Sequence, residues 1–358
     1  RRPPRSTPSN SSAASDVYKR QIEGLAMLVE KEAKILLGEN IKNSKVFDDR
    51  VEIYVEDLTD AVIKLALFGK TFDGIYLKLA EKIIERKDDL YDVAREINWI
   101  RYWDITRSFA VIPATDGSIH KRDLGVFIGQ AIVDHFIEKM GERPKVDLDN
   151  PQIQVYAFVE NKKLTLTLDL CGFEFNSPEE ILSRAIVVAS EWNLEDNFGE
   201  FYYGGVAESA FELARNEANR SRIPGMAVFR MKILNPTRAL ELLRKRWRKE
   251  EYPYVSCYEA PGRINVVVMH RRYPIRVVDI RDAINADDKI FSSNIINVNP
   301  KKERQKQILE EITKIFEQNN NAEKLVIAAR ADVIPDEFEK IASFKYKGVE
   351  SLIAIRRK

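Results

Sequence analysis

The sequence predicts an α/β chain, with a small α+β front half followed by a doubly wound sheet. Three observations predict this. In the front half, apolar residues at helical spacing alternate with short runs of period two. From Phe173 onward, strand-like and helix-like stretches repeat as βα units, the pattern of a doubly wound sheet. The bulk composition, 358 residues of which 44% are hydrophobic, allows two or three domains with sizeable cores. No stretch approaches the ~18 consecutive apolar residues of a membrane span.

The first segment is set apart from the fold. "RRPPRST" and "SSAASDVYKRQ" resemble an in-frame translation of a sequencing adapter, so Arg1 to Gln21 is read as an artefactual tail. The rival reading is a basic, Ser/Pro-rich disordered arm. The tail holds five Lys/Arg and one acid, so without it the formal charge moves from +1 to −3. The remaining protein is not globally basic, and any nucleic-acid surface must be a local patch. Two cysteines, Cys171 and Cys257, are too far apart for a zinc ribbon and fit a reducing cytoplasm as inert buried thiols. His120, His135 and His270 show no metal-ligand spacing, so no metal is expected.

The elements follow in order. "IEGLAMLVEKEAKILLG" (Ile22 to Gly38) is a helix stopped by glycine. "RVEIYVE" (Arg50 to Glu56) alternates like a half-buried strand. "DLTDAVIKLALFG" has a capping-type start and a glycine stop, and "DDLYDVAREINWI" is a third helix. A strand from Ser108 to Pro113 leads to an Asp116-Gly117 turn and a helix from about Asp123 to Met140. Two alternating strands follow, Ile153 to Val159 and Leu164 to Leu170, joined by a polar turn at Glu160-Asn161-Lys162.

Two of these stretches carry a resemblance. "SFAVIPATDGSIHKRDLGVFIGQAIVD" and "KVDLDNPQIQVYAFVENKKLTLTLDLCG" are similar to a THUMP domain, the RNA-binding module of tRNA-modifying enzymes such as 4-thiouridine synthetases and guanine-N2 tRNA methyltransferases. Residues 22–70 resemble the ferredoxin-like segment that precedes it in the methyltransferase branch. The resemblance implies recognition of the folded shape and acceptor end of tRNA, in line with how proteins read folded RNA. Read from the residues alone, Asp149-Asn150-Pro151 is a turn that starts a strand.

Behind this, "GEFYYGG" is strand-like and "VAESAFELARNEANRSRIPG" helical; "AVFRMKIL" is a strand and "NPTRALELLRKRWRKE" a helix. "RINVVVM" is a short apolar run of central-strand composition. "KKERQKQILEEITKIFEQN" is a helix, "EKLVIAARADVI" a strand, and "FKYKGVESLIAIRRK" a closing pair of strand segments. The order resembles the Rossmann-like S-adenosylmethionine methyltransferase domain of the THUMP tRNA guanine-N2 family. Tyr203-Gly204-Gly205-Val206 followed by Ala210 to Ala218 matches that family's "Y-G-G-D-I … A-x-E-x-A-R-x-N-A".

Measured against that family, three departures stand out. No glycine-rich loop of the type D-P-x-C-G-S-G lies between Gly172 and Gly205, and 173–178 is too short for the usual lead-in helix and strand. The acid expected after the glycine pair is Val206, with Glu208 as a substitute. The family's V-V-V-T-N-P-P-Y-G-I-R becomes Val266-Val-Val-Met-His270-Arg271-Arg272-Tyr273-Pro274-Ile-Arg276, which keeps only Tyr273 of the Asn-Pro-Pro-Tyr element. An arginine has only donors and cannot accept from a substrate amine as the asparagine amide does. Gly204, Gly205, Val206, His270 and Tyr273 are therefore read as degenerate methyltransferase positions, and no catalytic residue is expected.

The candidate RNA contacts are Lys121, Arg122, Arg271, Arg272, Arg244 and Lys245. Lys121 and Arg122 open the THUMP-like helix, where backbone N–H groups can meet a phosphate. Arg271 and Arg272 read as phosphate or ribose ligands or as solvated strand-end residues. Arg244 and Lys245, in "RKRWRKE", read as dipole complements at a helix end or as a phosphate patch with an aromatic.

The expected division is a tail at 1–21, a ferredoxin-like segment at 22–70, a THUMP domain at 71–172 and a degenerate Rossmann-like domain at 173–358. The expected protein is a cytoplasmic RNA-binding protein, its target tRNA or another structured RNA. It acts without a cofactor, as a non-catalytic partner of a tRNA-modifying enzyme and away from any membrane. The alternative is an active S-adenosylmethionine-dependent tRNA guanine-N2 methyltransferase with a divergent site.

Overall fold

The computed structural model describes residues 24–47, 50–72, 74–172, 178–191, 198–202, 232–235, 238, 255–259, 275–293, 295 and 301–358. Helix α1 (Ala26–Leu37) leads into an antiparallel hairpin, β1 (Ile41–Val46) and β2 (Val51–Val55), and then helix α2 (Leu58–Phe68). The capping-type start is real: the Asp57 carboxylate accepts from the Asp60 N–H at 3.0 Å. Ala33 and Leu37 of α1 pack on Ala61 and Leu65 of α2.

A four-stranded sheet follows: β3 (Gly74–Ile83), β4 (Phe109–Thr115), β5 (Ile153–Glu160) and β6 (Lys163–Gly172), in the order β3-β6-β5-β4. β4 and β5 are parallel and the other pairs antiparallel. The alternation expected in β5 and β6 holds, with Ile153, Val155, Ala157, Val159, Leu164, Leu166 and Leu168 all buried. They meet Leu90 and Val93 of α3 (Asp88–Arg95) and Leu124, Ile128 and Phe136 of α4 (Lys121–Met140). Trp103 lies against Trp99, Phe136 and Phe109, with ring centroids 5.5, 5.6 and 6.1 Å away. The polar turn between β5 and β6 puts Asn161 and Lys162 at φ +50° and +62°, the left-handed pair of a tight hairpin.

The second sheet has seven strands: β7 (Phe198–Tyr202), β8 (Val255–Glu259), β9 (Ile275–Asp279), β10 (Ile290–Ser293), β11 (Lys324–Arg330), β12 (Glu339–Tyr346) and β13 (Val349–Arg357). The order is β12-β13-β11-β10-β7-β8-β9. β9, β8, β7, β10 and β11 are mutually parallel; β13 inserts antiparallel beside β11 and pairs with β12. Helix α6 (Lys302–Gln318) covers one face, with Ile308, Ile312 and Phe316 in the cluster that holds Phe201, Phe291 and Ile327. Helix α5 (Pro178–Ala189) covers the other, with Leu182, Ala185 and Ile186 packed among Val326, Ala328 and Ile353. Leu25 and Leu28, at the start of α1, belong to that same cluster. One amphipathic helix thus braces the front half against the back sheet.

Several expectations change. A helix and a strand do precede the glycine pair, as α5 and β7; they occupy Pro178–Ala189 and Phe198–Tyr202, beyond the short interval 173–178. Residues 232–234, expected to end a strand, form a turn, because the Lys232 N–H bonds the Tyr102 carbonyl at 2.9 Å and Leu234 is buried in the front-half core. β8 ("VSCYE") and β10 ("IFSS") were missed, since four or five residues with polar members lack the apolar β-branched signature. The expected helix at 206–225, most of the one at 235–250 and the "RINVVVM" run lie outside the described residues.

Candidate functional site

Two places on the molecule have the geometry of a site. In the back sheet the chain runs from β7 outward to β8 and β9, then returns to β10 on the other side of β7. The strand order reverses between β7 and β10, and ligands of open α/β sheets bind in the crevice outside the carboxyl ends at such a point. Register brings four residues to that edge: Tyr202 is paired with Glu259, Glu259 with Asp279, and Ser293 with Phe201. Glu259 and Asp279 end β8 and β9, where an ionised carboxylate is an acceptor for hydroxyl or amino groups. Ser293, the last residue of β10, has a fully buried hydroxyl without a hydrogen-bond partner among the described residues, as does Ser292. A buried hydroxyl left unpaired costs free energy that a bound polar group relieves.

The fit to an adenosyl cofactor rests on that acceptor-and-hydroxyl edge. An acid ending the strand beside the switch point is where a ribose diol is held in doubly wound folds. Sequence reasoning missed Glu259, Asp279 and Ser293, because nothing local marks them. Their neighbourhood is made by register alone.

Of the stretch Ile264 to Arg276, the part before Ile275 lies outside the described residues. Its last residues, Ile275 and Arg276, begin β9, at the sheet's outer edge. The strand beside β7 on the switch side is β10. His270, Arg271, Arg272 and Tyr273 lie outside the described residues, as do Gly204, Gly205, Val206, Arg244 and Lys245. In sequence, Gly204 and Gly205 follow directly beyond the carboxyl end of β7.

The second place is the amino end of α4. Lys121 and Arg122 form its first turn, both exposed, and neither makes an ion pair among the described residues. Asp123 is held by Lys87, the residue before α3, at 2.5 Å, and that ammonium keeps the Asp123 carboxyl below its ordinary range. The ion pair sets the amino ends of two helices side by side, where helix dipoles and free N–H groups favour an anion. Further along α4, burial pushes the His135 imidazole down, aided by Arg95 and Lys139. It is a core residue. Among the described residues no group of three or more His, Cys, Asp or Glu side chains is placed to hold a metal ion. No described helix is long and apolar enough to cross a membrane.

Comparison with known proteins gives these features a family setting. The THUMP domain family matches residues 85–169. The chain is similar to the ribosomal RNA large subunit methyltransferase K/L of Marinomonas sp. (strain MWYL1), 27% identical over 167 residues, which is 45% of this chain and 22% of that protein. It spans between a fifth and a third of the length of the first curated relatives it matches. Among solved structures, a possible methylase from Clostridium difficile 630 superposes with a TM-score of 0.69 at 16% identity, covering 95% of this chain and 97% of that one. SMU.472, a putative methyltransferase complexed with SAH, gives 0.70 at 13%, covering 94% and 96%. These likenesses show the fold. The chain therefore contains a THUMP domain, at residues 85–169, joined to a doubly wound sheet of the methyltransferase fold.

Proposed function

We propose that this protein is an RNA-directed methyltransferase of the THUMP class, working in the cytoplasm, that binds S-adenosylmethionine at the crevice between β7 and β10. The observation that carries the reading is the switch point itself, with acid-ended β8 and β9 beside it. It replaces the expectation of a cofactor-free domain, and a neighbour of the same fold described as a putative methyltransferase complexed with SAH supports the change. Gly204 and Gly205 follow β7 in sequence, and glycine is the residue type that lets a backbone approach a cofactor. Glu259 would hold the ribose hydroxyls. Asn294, which follows β10 in sequence, supplies an amide that can accept from a substrate amine. When bound, the cofactor supplies an electrophilic methyl group. A THUMP match and curated relatives named for large-subunit ribosomal RNA support RNA as the substrate class, with tRNA as the rival source.

Titration with S-adenosylhomocysteine tests the cofactor half: micromolar binding is expected, and no binding at millimolar ligand overturns it. A second reading, a non-catalytic RNA-binding partner of a modifying enzyme, is favoured by one feature. Asn294 is followed by Ile295-Ile296 where the resembled family has two prolines. Transfer of labelled methyl to large-subunit ribosomal RNA or tRNA separates the two. Cofactor binding without transfer to either RNA supports the partner reading.

A further inference from the structure

We propose that the outer face of the four-stranded sheet is a stacking platform for single-stranded RNA, built on Tyr76, Tyr156 and Phe158. The proposal rests on the RNA-directed reading and deepens it by naming a surface and the form of RNA that fits it. Helices α2, α3 and α4 close the other face, where Val155, Ala157, Leu166 and Leu168 are buried. Successive residues of a strand point to opposite faces. Tyr156 and Phe158 of β5 therefore face away from that core, and Tyr76 of β3 touches Tyr156. The core-facing residues of β5 are all aliphatic, and its aromatic residues are confined to the outer face. Tyr156 and Phe158 are half-buried, and Tyr76 is 36% exposed. The Tyr156 and Phe158 rings lie 5.8 Å apart with planes at 15°, and Tyr76 meets Tyr156 edge-on at 5.1 Å. Adjoining rings on a sheet face give bases π-surfaces to stack on, whatever their sequence.

A second observation on the same face points to a ligand. Thr167 of β6 is paired in register with Tyr156 on one side and Lys78 on the other. It is 6% exposed, and its hydroxyl has no hydrogen-bond partner among the described residues. A buried hydroxyl left unpaired costs free energy. The edge of a base, which carries both donors and acceptors, relieves that cost.

The charges around the rings suit a polyanion at one end. At the β3 edge the acids are neutralised: Lys78 holds Glu52 and Glu81 at 2.7 and 3.2 Å, and Lys163 holds Glu81 at 3.3 Å. Glu160, next on the face after Phe158, is matched in register by Lys163. The turn that follows carries Lys162, and Asp116 ties that turn to the loop before α4 by accepting from the Asn161 N–H at 2.8 Å. Lys121 and Arg122 stand at the far end of that loop. Lys162, Lys121 and Arg122 are all exposed, and none makes an ion pair among the described residues. Bases laid along Tyr156 and Phe158 thus lead toward a turn whose cations can take backbone phosphates, the pairing of stacking with a cationic rim that single strands require.

The test uses the whole chain and two labelled probes: a single-stranded RNA of mixed sequence, about a dozen nucleotides long, and the same strand annealed to its complement. The parent is expected to bind the single strand more tightly than the duplex. Tyr156→Leu and Phe158→Leu keep apolar bulk and remove a ring. Each should weaken single-strand binding about fivefold or more and leave duplex binding unchanged, while Tyr156→Phe, which keeps the ring, should bind like the parent. Thr167→Val removes the hydroxyl at nearly constant shape. Its melting temperature should hold or rise while single-strand affinity falls about threefold or more; a purely structural threonine would move stability and leave affinity alone. Ultraviolet crosslinking should join the single strand to peptides that contain Tyr76 or Tyr156. Should a leucine variant fail to fold, Thr167→Val and the crosslink map decide. Unchanged single-strand affinity in the folded leucine variants and in Thr167→Val overturns the platform and leaves the RNA-directed reading standing. Equal binding of single strand and duplex by the parent, or binding of neither, also overturns the platform, and methyl transfer to RNA then decides the RNA-directed reading by itself.

Discussion

The two sheets present their functional residues in opposite ways. In the four-stranded sheet the candidate contacts are neighbours in sequence: Lys121 and Arg122 open one helix, and the chain order alone puts them beside its free N–H groups. In the seven-stranded sheet the candidate residues come from four separate strands, and only pairing register sets Tyr202, Glu259, Asp279 and Ser293 along one edge. A site at a helix end is local and visible in a short stretch of sequence. A site at a switch point is a property of strand order, and no single stretch contains it.

The largest expected effect tests whether the halves are separable. Trp103→Ala empties the centre of the front-half aromatic cluster and should cost about 3–5 kcal/mol, read by urea denaturation. Exchange protection should fall in β5 and β6 and persist in β11 and β13. Equal loss in both sheets would show one cooperative unit and dissolve the contrast between them.

Next in size is Glu259→Ala. Loss of charge-assisted contacts to hydroxyls is worth about 1.5–3 kcal/mol, so S-adenosylhomocysteine affinity should fall about tenfold or more, with RNA affinity unchanged. A parallel loss of RNA affinity would mean that the crevice residues also shape the RNA surface.

Lys121→Ala combined with Arg122→Ala sharpens the other side. The salt dependence of RNA binding should flatten by about one to two phosphate contacts, each worth a slope of roughly 0.7–0.9, while cofactor affinity holds. An unchanged slope moves the RNA surface away from the start of α4.

The smallest effect is one that both halves share, the dependence of stability on pH. Asp116 is held at about 2 by the Ser118 hydroxyl and the Ser118 and Asn161 N–H groups, and Glu138 at about 2 by Lys139 and Arg95. In the back half Asp332 is held at about 2 by Arg330 and Lys302. Carboxyls depressed in the folded state stabilise it above their unfolded value, near 4, and that contribution is lost as pH falls toward 2. Melting temperature should decline through that window, and Asp116→Ala should make the decline shallower. A melting curve indifferent to pH between 4 and 2 would show that these contacts add nothing to the fold.

Legibility followed the same division. The helix at α4, the paired β5 and β6, the left-handed turn between them and the closing hairpin β12–β13 each carry their own periodicity and turn chemistry. The capping-type start read in "DLTDAVIKLALFG" is met by Asp57, whose carboxylate accepts from the Asp60 N–H. β8 and β10 carry no such signal. They are strands because β7 lies between them and satisfies their backbone groups, so their polar residues are tolerated where an isolated segment would read as loop. The apolar run before Tyr273, whose composition is that of a central strand, lies outside the described residues.

The sequence by itself determined the fold class, the RNA-binding module and the residues that start its long helix, because each of these depends on interactions within a few turns of chain. Tertiary structure alone decided the order β9-β8-β7-β10-β11, hence the switch point and the register that ends β8 and β9 in acids beside it, and the capture of Leu234 by the opposite half. Those outcomes depend on contacts between residues distant in sequence, whose hydrogen bonds and buried surface exist only once the layers have closed on one another.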